Sequence, residues 1–321
     1  MIPLIVNYIK EQTKIHNQNN VTRTKAYLKF YDKFPEIKWS FLASIVSRNA
    51  GWNMTDLQSD PYVQLLSEGE RKSLYLTYES INWYIFQDAY PQLLIYQLSE
   101  EKDTPLFFLL KHFQVSRYIE EEWYRFYRRR DKERLLYAQI INEQNLIEQP
   151  IMQHQPYKRK VFNTIPFRGQ NMAHYNAVLL PTEQGKLYGD FVSHFLSVSK
   201  RISIGKKISN ILFYPCLYPL FYSFANNVEI TGDRKEYEQF INEHTTSDSH
   251  NLTSFYRDTK HQISEYRVDW SSYTKIKRRW YKEEKMKHPT PINETYYKKR
   301  QLIKNIGSIK GVIKHESVEK S

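Results

Sequence analysis

Apolar residues recur at helical spacing along most of this 321-residue chain. The clearest instance is WSFLASIVSRNAGWNMTDL, residues 39–57, where Trp39, Leu42, Ala43 and Val46 form one face. Phe41 and Ile45 widen that face nearly to full burial, so an interior helix is predicted. The remaining circumference carries Ser40, Ser44, Ser47 and Gly51, a line of small residues along which another backbone or a ligand can come close. Gly51 reads as the helix stop, in the left-handed conformation glycine adopts at little cost, with Asn53 or Thr55 capping the next element.

The same patterning predicts a helix over Asn20 to Tyr31, with Tyr27, Phe30 and Tyr31 buried and Arg23 and Lys25 also on it. Ser67 with Glu70 makes a capping box for a long helix through Tyr75, Tyr78, Ile81, Ile85 and Phe86, which Pro91 kinks or ends. Ser116 opens a charged helix whose Glu121 and Arg125 stand at ion-pair spacing on a solvated face. Pro150, Pro156, Pro166 and Pro181 predict a short hairpin or irregular crossing over 150–181, with helices resuming at Thr182 and running through Leu196. Pro215 and Pro219 interrupt the apolar stretch Ile208 to Ala225, predicting two short buried helices in place of a membrane span. The alternative there lays Arg201, Lys206 and Lys207 on anionic headgroups. Helices near Arg234 to His244 and Thr253 to Arg267 close the body. Ser271 to Lys287 then predicts a basic amphipathic helix, with Tyr273, Ile276 and Trp280 opposite Lys275, Lys277, Arg278, Arg279 and Lys282.

The expected fold is mostly α, a multi-helix globular bundle. One helical domain spans 1–270, divisible near 150–181, and a basic helix with a loosely ordered tail spans 271–321. Nine glycines, thirteen prolines and 40% hydrophobic residues agree with a helical core. Of the net charge of +12, residues 275–321 carry +9, from fourteen Lys or Arg against five Glu. The body is therefore nearly neutral and the tail basic. The single cysteine, Cys216, excludes an intramolecular disulfide and a cysteine zinc site, and fits a reducing compartment. MIPLIVNYIKEQ has no basic region before its apolar run, so a cytoplasmic chain without a secretory signal is expected.

Several chemistries are excluded by spacing. No two glycines are separated by one residue, so there is no dinucleotide-binding GxGxxG loop, and Lys206-Lys207 does not complete a phosphate loop. HExxH and CxxC are absent, and no cofactor is expected. His244, Asp248 and His250, with His261, come nearest to a metal set, but their Thr-Thr-Ser and Ser-His-Asn surroundings read as a polar loop, so no metal is expected.

Arg48, Asn49, Asn53 and Asp56 gather at the end of the residue 39–57 helix, and two arrangements are open. In one, Arg48 and Asp56 form a structural ion pair across the turn. In the other, the four line a polar pocket for an anionic or amide-bearing ligand, on which Arg23 converges. His174, with Arg168, sits in the proline-rich crossing, a further candidate. WSFLASIVSRNAGWNMTDL, NNVTRTKAYLKFY and FQDAYPQLLIY resemble the uncharacterised YppC-like family of spore-forming Gram-positive bacteria, a domain of unknown function. The resemblance runs to about Trp270; it implies a bacterial intracellular protein and brings no catalytic residue with it. The function expected is a non-enzymatic helical binding or scaffold protein, with a polar groove near Arg48 and Asp56. Its basic tail (Lys275, Lys277, Arg278, Arg279, Trp280, Lys282) would meet an anionic membrane surface or nucleic acid, and a protein partner is also open. The alternative is an enzyme in which Asp56 or His174 is the acid or base and Arg48 with Arg23 binds an anionic small molecule.

Overall fold

Every face of the helix Lys38–Asp56 is covered, and the neighbours that cover it define the architecture. The computed structural model describes residues 2–153, 177–192, 196–241, 251–256, 259, 261, 267–285 and 288–318, with side chains to 309 in the last helix. In chain order, α1 (Ile2–His16), α2 (Asn20–Lys33), α3 (Lys38–Asp56), α4 (Asp60–Leu65) and α5 (Glu68–Glu101) precede a 3-10 turn at Phe107–Phe113. Next come α6 (Arg117–Arg129), α7 (Lys132–Leu146), the strands β1 (Ala177–Pro181) and β2 (Leu187–Phe191), then α8 (Val198–Leu212) and α9 (Tyr218–Asn227). Single helical turns at Lys235–Glu238 and Leu252–Phe255 lead to α10 (Asn293–Val318). The fold is mostly α, with one antiparallel hairpin in which Leu179 faces Gly189.

The small-residue line of α3 packs on α2. Ser40 Oγ donates to the Tyr27 carbonyl at 2.6 Å, Thr24 Oγ1 donates to Ser47 Oγ at 3.0 Å, and Asn20 Nδ2 donates to the Ser47 carbonyl at 2.9 Å. The close neighbour is thus a helix. Gly51 does not stop α3, which continues to Asp56. A Cβ at Gly51 would lie 3.4 Å from the Cα of Gly232, so this glycine admits a passing backbone.

The capping box of Ser67 and Glu70 is present, but Pro91 does not end the helix, and α5 runs for 34 residues. The proline lacks the N–H that Gln87 would otherwise receive. Arg267 Nη2 donates to the Gln87 carbonyl at 3.4 Å in its place. Residues 187–191 form a strand where a helix was expected, because Gly185 and Gly189 take φ of 73° and 131°. At Gly189 a Cβ would fall 1.9 Å from the Val178 carbonyl oxygen, so only glycine fits that pairing. The charged helix α6 pairs Arg117 with Glu121 at 3.2 Å, one turn earlier than the spacing first considered.

The helices expected near 234–244 and 253–267 reduce to the two single turns among the described residues. Ser271 to Lys287 is not an amphipathic helix either: its described part is irregular, with 3-10 turns at Trp270–Ser272 and Arg278–Tyr281. Trp280 is buried and donates to Ser199 Oγ at 3.0 Å, while Lys275, Lys277, Arg278, Arg279 and Lys282 are exposed. Beyond it, α10 is helical where a loose tail was expected, anchored by buried Tyr296 and Ile303. Among the described residues no helix is long and apolar enough to cross a membrane.

Candidate functional site

The four residues grouped at the end of α3 separate onto two faces, because a helix advances 100° per residue. Arg48, Trp52 and Thr55 turn toward the segment 225–236, whereas Leu42, Val46, Asn49 and Asn53 form a second stripe one residue around.

On the first face Arg48 is 2% exposed. Its Nε donates to Glu236 Oε2 at 2.5 Å, and its Nη2 to the Val228 and Glu229 carbonyls at 2.9 and 3.1 Å. Its Nη1 also reaches the Ala225 carbonyl in the last turn of α9 at 3.5 Å, so the guanidinium sits at the negative end of that helix dipole. Glu236 Oε1 in turn accepts from the backbone N–H groups of Thr231, Gly232 and Asp233. Two turns further along α3, Asp56 receives Arg234 Nε on both oxygens at 2.8 Å and Arg300 Nη1 at 3.0 Å. Burial alone would push the Asp56 carboxyl up, but Arg234 and Arg300 outweigh it and hold it below the ordinary carboxylate value. Asn53 Oδ1 accepts from Arg234 Nη2 at 2.9 Å.

Arg48 and Asp56 therefore pair with separate partners on a distant segment and not with each other. Residues of the segment 225–236 lie against both, with Arg300 of α10 beside Asp56. Both oxygens of Asp56 are engaged by the two guanidiniums. Arg23 does not converge on this cluster: it is buried, bonded to Glu79, Asn17 and Asn20. His174 lies outside the described residues, as do His244, Asp248 and His250. Among the described residues no group of three or more His, Cys, Asp or Glu is placed to hold a metal ion. Arg201 and Lys206, considered for headgroup contact, are buried and paired with Glu148 and with the Lys282 carbonyl; Lys207 is exposed.

The second stripe borders a cavity of about 200 Å³ between α3, α5, α7, α8 and β1. Its walls are mainly aliphatic: Leu42 and Val46 from α3, Ile81 and Ile85 from α5, Ile140 from α7 and Ile204 from α8. Val46, Ile81, Ile85 and Ile204, which line this space, are half-buried. Asn49, at its edge, fixes the hairpin: its Nδ2 donates to the Leu179 carbonyl at 2.9 Å and its Oδ1 accepts from the Leu179 N–H at 2.7 Å. Side chains at that position mimic a paired strand, so the amide is spent on the fold. The polar end of the cavity is formed by Glu143, Gln144 and Arg201. Glu143 accepts from Trp39 Nε1 at 3.3 Å and from Gln144 Nε2 at 2.6 Å. Burial pushes its carboxyl up to about 7, against smaller opposing effects of Trp39, Arg201 and Gln144.

Glu143 had not been singled out in the sequence, although a signal was there. It lies between Ile140 and Ile147 on α7, a carboxylate set into an apolar stripe.

The comparisons with known proteins place the chain in a family and bring no chemistry with it. No solved structure matches the chain. An uncharacterised protein, YppC of Bacillus subtilis (strain 168), is 44% identical over 299 residues, covering 93% of each chain. The family model described as protein of unknown function (DUF2515) matches residues 15–297. The chain belongs to this DUF2515 family.

Proposed function

We propose that this is a non-enzymatic helical binding protein whose ligand is a small, mainly apolar molecule held between α3, α5, α7 and α8. One observation carries the reading: a space of about 200 Å³ with mainly aliphatic walls between the helices. Protein interiors hold few voids larger than a water molecule. An apolar cavity of roughly 150 Å³ stays dry and takes benzene, so this one suits a molecule of about eight to ten non-hydrogen atoms. Of the groups that an enzymatic reading would recruit, Arg48, Arg23 and Asp56 are engaged in buried ion pairs, and His174 lies outside the described residues. Binding of propylbenzene, followed by protein NMR shifts of the isoleucine methyls, tests it. Ala50→Leu, which projects three further carbons into the cavity, should abolish those shifts; the absence of shifts in the unaltered protein would end the proposal.

A second contact, with an anionic surface, is supported by a separate observation. Lys275, Lys277, Arg278, Arg279 and Lys282 are all exposed around the buried anchor Trp280. Removing the tail would take away the buried Trp280, Tyr296 and Ile303 and uncover the surfaces they cover, so the test is neutralisation of these five cations to Gln. Loss of salt-sensitive binding to vesicles containing phosphatidylserine supports a membrane target, and loss of duplex DNA binding supports nucleic acid. Binding equal to the unaltered protein on both refutes the contact.

A further inference from the structure

On the outer face of α6 lies an open groove of about 730 Å³, and three arginines line it. Arg125, Arg128 and Arg129 are three and four residues apart, a spacing that sets side chains next to one another on a helix. Arg125 is half-buried. Arg128 and Arg129 are exposed in the last turn, where the negative end of the helix dipole favours cations. Two carboxylates also line the groove, and each is held by an arginine from outside it. Glu121 accepts from Arg117 Nε at 3.2 Å, one turn back along α6. Glu122 accepts from Nε and Nη2 of Arg134 in α7, at 2.7 and 2.6 Å. Glu121 stands four residues before Arg125, the spacing of a helical ion pair, yet it turns to Arg117 instead. Tyr124 and Tyr127, both half-buried, add aromatic surface beside the guanidiniums.

We infer that this groove binds a phosphate monoester, its terminal oxygens shared among Arg125, Arg128 and Arg129 and its organic part resting against Tyr124 and Tyr127. The number and kind of donors select the ligand. A guanidinium presents its N–H groups in a planar fork that meets two oxygens at once. One such fork satisfies a carboxylate. Three forks side by side call for an anion with three terminal oxygens and nearly two charges, and at neutral pH that is a phosphate monoester. A sulfate ester has the same outline but a single charge, and a phosphodiester has one charge and two terminal oxygens. The groove is of the size that small ligands occupy, roughly 300–1,000 Å³. A soluble ester and a lipid headgroup ending in a phosphate monoester would make the same contacts. The site stands on α6, apart from the aliphatic cavity, and neither depends on the other.

Phenyl phosphate and phenyl sulfate, nearly one shape but different in charge, are the probes, titrated into the full chain by calorimetry at neutral pH. Phenyl phosphate is expected to bind at least tenfold tighter. Arg125→Gln should weaken it at least tenfold. Lys132→Gln, which removes one exposed cation three residues beyond Arg129, should change it less than twofold. Arg128→Gln and Arg129→Gln alter exposed positions, so each should weaken binding while leaving the unfolding temperature unchanged. Vesicles of phosphatidylcholine containing phosphatidic acid separate the two sources. Capture that is lost in Arg125→Gln supports the groove with a lipid headgroup in it, and phenyl phosphate binding without capture supports it with a soluble ester. The inference is overturned if phenyl phosphate does not bind, if phenyl sulfate binds as tightly, or if Lys132→Gln weakens binding as much as the arginine variants do.

Discussion

Replacing Arg48 with Met should be among the most damaging single changes in this protein. Methionine keeps most of the stem but removes the guanidinium, which is 2% exposed and bonded to Glu236 and to the Val228 and Glu229 carbonyls. Breaking a buried ion pair from one side costs about 3–5 kcal/mol, because the other charge stays behind. Here Glu236 retains the backbone N–H groups of Thr231, Gly232 and Asp233, which places the charge term near the low end. Two carbonyls losing donors add about 1 kcal/mol each, so the loss is on the order of 5 kcal/mol. Urea unfolding followed by tryptophan fluorescence measures it, with Trp52 reporting directly from the same face of α3. Glu236→Met should cost at least as much, since it strands three N–H donors as well as Arg48. The double variant should not return to the original stability, though it should be better than the sum of the singles by about 2 kcal/mol. An Arg48→Met protein within 1 kcal/mol of the original, or more stable than it, would refute the assignment of Arg48 to the fold and reopen it as a ligand-binding group.

Three further outcomes follow from the same geometry. Asp56→Asn should destabilise by about 3 kcal/mol at pH 7. Because the folded carboxyl lies below its unfolded value of about 4, the gap between the two proteins should close as pH falls below 4, as read by acid titration of unfolding free energy. Glu143 has the opposite sign: its carboxyl is pushed up to about 7, so the unfolded chain loses that proton first and stability falls as pH rises from about 4.5 to 7. Glu143→Gln should flatten that slope and be more stable than the original at pH 8 by on the order of 1–3 kcal/mol; an unchanged slope would show that the group is not desolvated. Asn49→Ala removes both bonds to Leu179 and should cost about 1–3 kcal/mol while raising amide hydrogen exchange across Ala177–Phe191 above that of α5.

The parts of the fold that were legible are those fixed by neighbours in the chain. Ser67 and Glu70 announce the start of α5 because both partners of the capping box lie within one turn. Gly51 was misread because a glycine that ends a helix and one that admits Gly232 look alike until the distant backbone is known. The same holds for Pro91, whose helix survives through a donor from Arg267. Arg48 and Asp56 were recognisable as buried chemistry at the end of α3, but their partners Glu236, Arg234 and Arg300 stand in segments with no local mark of that role. The cavity was the least legible feature. Leu42, Val46, Ile81 and Ile85 have the periodicity of a packed core, and a stripe reads the same whether the space beside it is filled or empty.

The pairing of α3 with the C-terminal half also sets an order of events on the ribosome. Arg48 emerges 188 residues before Glu236, and Asp56 emerges 244 residues before Arg300. At about 5–20 residues per second, the Arg48 face waits roughly ten to forty seconds for its partner. The serine line has no such wait, since Asn20, Thr24 and Tyr27 have already left the tunnel when Ser40 and Ser47 appear. The α2–α3 hairpin is thus among the early tertiary contacts the nascent chain can complete, and its charged face closes late. A chain stalled before residue 234 would carry that face open, a natural place for a chaperone to hold it.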